Sequence, residues 1–146
     1  MIMKILLPTD GSPFAIRAAE FAADLAKRYG AAVTVITVVE MPLRIGLSID
    51  SHEDGDLRKH LEMHAKGILE DTRRVFEQAE VEPKEEIVFG SAVSSILRYA
   101  REGSYDLIVI GRRGAGTSAI EQILLGSVAE GILHEATCSV LLVPAK

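Results

Sequence analysis

The feature that most constrains this sequence is a rhythm. Short aliphatic runs, apolar at nearly every position, alternate with longer runs in which apolar residues return every third or fourth place. A run that is apolar throughout reads as a strand covered on both faces. The three-four spacing reads as a helix with one buried stripe. Residues 2–8 form a first strand and 32–39 a second. Between them a helix starts near Ser12, which suits the N-cap, with Pro13 at the first helical position and Gly30 as the C′ residue. Its sheet-facing stripe is expected to hold Phe14, Ala18, Phe21, Ala22, Leu25 and Tyr29.

From Glu40 to about Gly55 the chain carries Pro42, Gly46, Ser48 and several acids, and reads as a long, mobile loop. A second helix is expected from about Asp56 to Ala79, with Leu57, Leu61, His64, Ile68, Val75 and Phe76 on its inner face. Residues 84–89 give strand three, 92–102 helix three and 106–110 strand four. A glycine-rich loop follows, then a helix to about Ala136 and strand five at 139–143.

Each strand-helix-strand step needs a right-handed crossover, so the sheet is parallel. Five strands in this rhythm suggest an α/β fold of order 3-2-1-4-5 with helices on both faces, a Rossmann-like arrangement within one domain spanning residues 1–146. In that order the chain changes direction between strands one and four, and ligands of open α/β sheets bind in the crevice beyond the strand ends there. The residues at that point are 9–12 and 111–116.

Strand four is followed by Gly111-Arg112-Arg113-Gly114-Ala115-Gly116, and later by Gly126-Ser127. Glycines let backbone N–H groups approach an anion closely, and a serine at a helix start adds a hydroxyl where unpaired amides already attract negative charge. Two such elements facing each other would cradle a polyphosphate. Close glycines alone are equally consistent with a plain strand-helix turn. Asp10, ending strand one, suits a ribose hydroxyl or an exocyclic amine, or else caps the next helix. Val38 suits either contact with a flat ring or the core.

The net charge of −5, without a long basic run, argues against nucleic acid as a partner. No stretch approaches the roughly 18 apolar residues of a membrane span, and the short apolar start does not make a signal peptide, so a cytoplasmic protein is expected. The single cysteine, Cys138, lies in an apolar run and reads as a small core residue. His60 and His64, with Asp56 a turn earlier, have metal-binding spacing, but a solvated helix face is the commoner meaning. No P-loop pattern, Gly-x4-Gly-Lys-Ser/Thr, is present.

Four segments carry a family likeness. They are Lys4-Ile5-Leu6-Leu7-Pro8-Thr9-Asp10-Gly11-Ser12, then Leu107-Ile108-Val109-Ile110-Gly111, and last Leu124-Leu125-Gly126-Ser127-Val128-Ala129-Glu130 followed by Cys138-Ser139-Val140-Leu141-Leu142-Val143. Together they resemble the universal stress protein family, along the whole chain. The nucleotide-binding branch of that family carries Gly-x2-Gly-x9-Gly-Ser/Thr. Here Gly111 and Gly114 keep the first gap, but eleven residues separate Gly114 from Gly126, so the loop carries two more than the pattern.

The resemblance implies that Thr9, Asp10 and Val38 hold adenine and ribose. It implies that Gly111, Gly114, Gly126, Ser127 and Arg112 hold the phosphates, with Pro8, Ile110 and Val128 beside them. The implied ligand is ATP with magnesium, and the implied assembly a homodimer through the C-terminal strand, residues 140–143. The expected role is a regulatory, stress-response module in which bound nucleotide adds stability by mass action. The sequence offers no clear catalytic base, so at most slow hydrolysis is expected. A relative that acts through protein contacts without nucleotide is the alternative.

Overall fold

The computed structural model of the chain describes residues 2, 4–41, 51–113 and 125–144, with the backbone alone for 51–54. The elements are β1 (Lys4–Pro8), α1 (Pro13–Tyr29), β2 (Ala32–Val39), α2 (Ser51–Gln78), β3 (Lys84–Phe89), α3 (Ala92–Glu102), β4 (Leu107–Gly111), α4 (Ser127–Glu135) and β5 (Ser139–Val143). The strands form one parallel sheet in the order β3-β2-β1-β4-β5, as the alternating rhythm requires. No helix among the described residues is long and apolar enough to cross a membrane.

Side chains alternate across the sheet, which is why its inner strands are apolar at most positions. Ile5, Leu7, Val33, Val35 and Val109 pack beneath α1 and α2. Leu6, Ile36, Ile108 and Ile110 pack on the other face with Ile96 and Ala100 of α3 and Ile132 of α4. Both faces of β1 are therefore dry, and Ile5, Leu6 and Leu7 have no exposed surface. Each such aliphatic side chain contributes about 1.5–3 kcal/mol by leaving water.

Helix α1 begins as its sequence indicates. The Ser12 hydroxyl accepts from the Ala15 N–H at 3.2 Å, Pro13 occupies the first turn, and Gly30 ends the helix at φ +67°. Its buried face differs from the expected stripe. Phe14, Ala18 and Ala22 are buried, but Ala15, Ala19, Ala23 and Ala26 join them, while Phe21 and Tyr29 are 39% and 58% exposed. Alanines let the helix axis lie close to the sheet, and the larger rings are left at the rim, where the Arg17 guanidinium covers Phe21 at 5.1 Å.

Helix α2 starts at Ser51, about a turn before the expected Asp56, so residues 51–55 are helical rather than loop. Residues 42–50 of the expected loop lie outside the described residues. The buried stripe of α2 is Ala65, Leu69, Thr72 and Phe76, with Leu61, Ile68 and Val75 half-buried beside it, whereas His64 is exposed rather than inward. Strand β4 runs one residue later than expected, and β1 starts at Lys4 rather than Ile2. Cys138 is half-buried against the α3–α4 core rather than fully enclosed.

Candidate functional site

Because β1 and β4 are neighbours whose connections leave on opposite faces, their carboxyl ends open a crevice between them. The turn after β1 is closed by its own side chains. The Gly11 N–H donates to Thr9 Oγ1 at 3.2 Å, and the Ser12 N–H donates to Asp10 Oδ1 at 2.9 Å. Asp10 thus shapes the turn while Ser12 caps α1. The Thr9 N–H donates to the Ile36 carbonyl at 2.9 Å, and the Thr37 hydroxyl donates to the Thr9 carbonyl at 3.1 Å. Those bonds pin the turn to β2. Gly11, at φ +78°, lies where an added Cβ would come within 3.1 Å of Ile68.

On the other side, the Arg112 N–H donates to the Val143 carbonyl at 2.8 Å, and the Gly126 N–H donates to the Arg112 carbonyl at 2.9 Å. The start of α4 therefore hangs directly on the end of β4. Gly111 has a different reason from a tight turn: a Cβ there would lie 2.9 Å from the Phe14 backbone, so the residue lets α1 press onto β4.

Three of the described helices begin around this crevice, and their N-termini are satisfied differently. The Ser12 side chain caps α1. At α3, Ser91 makes no side-chain capping bond, but the Glu40 carboxylate, from the end of β2, accepts from the Ala92 N–H at 2.7 Å. At α4 the N-cap is Gly126, without a side chain, so the cap residue itself supplies no side-chain acceptor, and no side-chain capping bond is found there among the described residues. Those amides carry the positive end of the helix dipole.

The crevice encloses about 270 Å³. Of the residues expected around adenine and ribose, Pro8, Thr9, Asp10 and Val38 all line it. Of those expected around phosphate, Gly111, Gly126 and Ser127 line it, as do Ile110 and Val128. Gly114 and the two extra loop positions lie outside the described residues. Arg112 does not line the crevice; its backbone is occupied by the β4–β5–α4 junction, and the adjacent Arg113 lines it instead. Arg113 Nη1 donates to the Leu125 carbonyl at 3.4 Å, and its Nε, wholly buried, has no hydrogen-bond partner among the described residues. Leaving a buried donor unsatisfied costs about 1–3 kcal/mol, more when charged.

Sequence reasoning missed Ala15, Ala92, Ile96 and Ala129, which complete the wall. They occupy the first two turns of α1, α3 and α4, the places a parallel sheet brings to this edge. Among the described residues the crevice combines an apolar wall, one carboxylate at Asp10, one guanidinium at Arg113 and a helix start without a side-chain cap. That combination suits a flat, apolar group joined to an anion. Elsewhere, His60 and His64 are both exposed, and no group of three or more His, Cys, Asp or Glu among the described residues is placed to hold a metal.

Comparison with known proteins gives a consistent answer. Residues 1–144 match the sequence model of the Universal stress protein family. The universal stress protein MJ0531 of Methanocaldococcus jannaschii is 34% identical over 140 residues, covering 96% of this chain and 81% of that protein. Among solved structures, hypothetical protein MJ0577 superposes with a TM-score of 0.81 at 28% identity, covering 100% of this chain and 98% of that one. A universal stress protein in complex with cAMP gives 0.73 at 25% identity, with 99% of each chain covered. One from Archaeoglobus fulgidus in complex with dAMP gives 0.69 at 25% identity, covering 98% and 99%. With the sheet order, the sequence match along nearly its full length and these superpositions in agreement, the chain belongs to the universal stress protein family.

Proposed function

We propose that this chain is a regulatory module that binds an adenine nucleotide, ATP, in the crevice between β1 and β4. The observation that carries the reading is the difference among the three helix starts. Ser12 and Glu40 supply acceptors to α1 and α3, whereas α4 begins at a glycine and offers its amides to an outside anion. The solved relatives in complex with cAMP and dAMP support adenine as the base.

In this reading the ring lies against Pro8, Val38, Ile96 and Ile110, and Asp10 accepts from a ribose hydroxyl. The phosphates run toward Gly126 and Ser127, where Ser127 is exposed and leaves room for a chain of them. A volume of about 270 Å³ stands near the lower end of small-molecule sites, which suits a nucleoside enclosed and phosphates reaching outward. Magnesium would arrive with the phosphates. Asp10 is the one carboxylate among the described lining residues, so the ion would keep most of its waters. Occupancy would stabilise the fold by about 2.7 kcal/mol at a hundredfold excess over Kd.

Calorimetric titration with ATP, with and without magnesium, tests this. Wild type is expected to bind with a Kd on the order of micromolar, about −8 kcal/mol. A Gly126→Val, Ser127→Ala variant is expected to lose most of that affinity. Absence of binding by folded wild type would refute the reading. Phosphate release measured alongside separates a binding module from a slow hydrolase.

We also infer that two copies pair through β5. It is an edge strand, and its Val140, Leu141 and Leu142 stay half-exposed, a surface that is hazardous if left open. Analytical ultracentrifugation should give a dimer for wild type and a monomer for Leu141→Lys. An unchanged sedimentation profile would refute the pairing.

A further inference from the structure

We propose that Arg113 is the residue by which this crevice selects a phosphorylated ligand over the bare nucleoside, receiving phosphate oxygens on the Nε edge of its guanidinium. The inference rests on the reading of the crevice as a nucleotide site, and it goes beyond that reading by naming the side chain that recognises the anion.

Three observations meet at this residue. Arg113 lines the crevice and Arg112 does not. Its Nη1 is tethered to the carbonyl of Leu125, the residue just before the α4 N-cap, so the guanidinium is fixed beside the uncapped helix start. Its Nε is buried with no hydrogen-bond partner among the described residues.

Buried N–H groups of native proteins are nearly always paired, so an orphaned one on a charged group in the wall of a crevice indicates an acceptor that comes with the ligand. The covalent geometry says which kind. With Nη1 engaged by Leu125, the Nε–H and the adjacent Nη2–H form the opposite edge of the planar fork, and that edge pairs with two oxygens of a carboxylate or phosphate. The neighbouring α4 amides prefer the same anion. A lysine would present a point charge without that edge.

The test titrates ATP, AMP, adenosine and inorganic tripolyphosphate into wild type, Arg113→Met and Arg113→Lys. Arg113→Met is expected to weaken ATP and AMP about 10- to 100-fold, as loss of a charged hydrogen bond does. Adenosine binding should stay within about twofold, which also reports that the variant is folded. Arg113→Lys should recover only part of the loss. The proposal is overturned if Arg113→Met binds ATP as wild type does, or if adenosine weakens as much as ATP, which marks a purely structural role.

Failure of the nucleotide reading looks different, because wild type then binds neither ATP, AMP nor adenosine. In that case tripolyphosphate binding that depends on Arg113 keeps the residue as an oxyanion site. Tripolyphosphate binding that is absent, or indifferent to Arg113, overturns the proposal as well.

Discussion

The backbone N–H of Gly126 donates to the carbonyl of Arg112 at 2.9 Å, and this bond places the start of α4 against the end of β4. Since the Arg112 N–H in turn holds the Val143 carbonyl, strand β5, the end of β4 and the helix start form one hydrogen-bonded unit. The anion-preferring end of α4 is thereby fixed relative to the sheet, and small changes at this junction should be felt at the crevice.

Gly111→Ala is the sharpest probe of that junction. The added Cβ would sit 2.9 Å from the carbonyl carbon and Cβ of Phe14, a distance at which the first turn of α1 must move. Overpacking of this kind typically costs about 1–3 kcal/mol. Urea unfolding should show that loss with an unchanged m-value, and ligand affinity should fall with it. A variant as stable as wild type would show that α1 is not clamped there.

The two capping arrangements predict opposite outcomes for two similar serines. Ser12→Ala removes the acceptor of the Ala15 N–H and should cost about 1 kcal/mol. Ser91→Ala should cost less than about 0.5 kcal/mol, because Ser91 makes no side-chain capping bond. Glu40→Ala should then destabilise α3 by about 0.5–1.5 kcal/mol, since its carboxylate serves the Ala92 N–H. Equal effects at Ser12 and Ser91 would contradict this division of roles.

Tyr99 predicts an alkaline dependence. Burial, and then the hydrogen bond its hydroxyl donates to the Glu86 carboxylate, raise its pKa well above the ordinary phenol value of about 10. The folded state therefore holds this proton after the unfolded chain has begun to lose it. The contribution is complete below about pH 10 and is lost progressively as pH rises from there toward the folded-state pKa. Wild type should lose stability more steeply than Tyr99→Phe between about pH 10 and 11.5 in urea melts. Parallel slopes would refute the assignment.

Burial also raises the pKa of the Cys138 thiol. Less thiolate at neutral pH means slow alkylation. Iodoacetamide should label Cys138 markedly more slowly in folded protein than in urea. Equal rates would show that the β5 start opens freely.

Much of the fold was legible because the chain repeats one physical pattern. Residues 32–39, 84–89, 92–102 and 139–143 were readable as the elements they form, and parallel connection then left little freedom in the strand order. Faces were harder to read. In α1 twelve of the seventeen residues are apolar, six of them alanine, so the three-four rule does not choose between a stripe through Phe21 and Tyr29 and the alanine face that packs. The start of α2 was obscured because Ser51-His52-Glu53-Asp54-Gly55 carries residues that are common in loops, although Ser and acids also suit a helix start.

The crevice residues were legible from chain topology, since the ends of β1 and β4 must meet. Which of two consecutive arginines faces inward was not, because the backbone of the turn after Gly111 decides it. The packing role of Gly111 against Phe14 was also hidden, because the two positions are far apart in sequence.

The most direct test of the central claim is an amide shift map recorded during an ATP titration of labelled protein. The account predicts saturable shifts concentrated at Thr9, Asp10, Val38, Gly126, Ser127 and Val128, the residues that converge on the crevice. Shifts confined to another surface, or none at millimolar ATP from a well-folded chain, would contradict it.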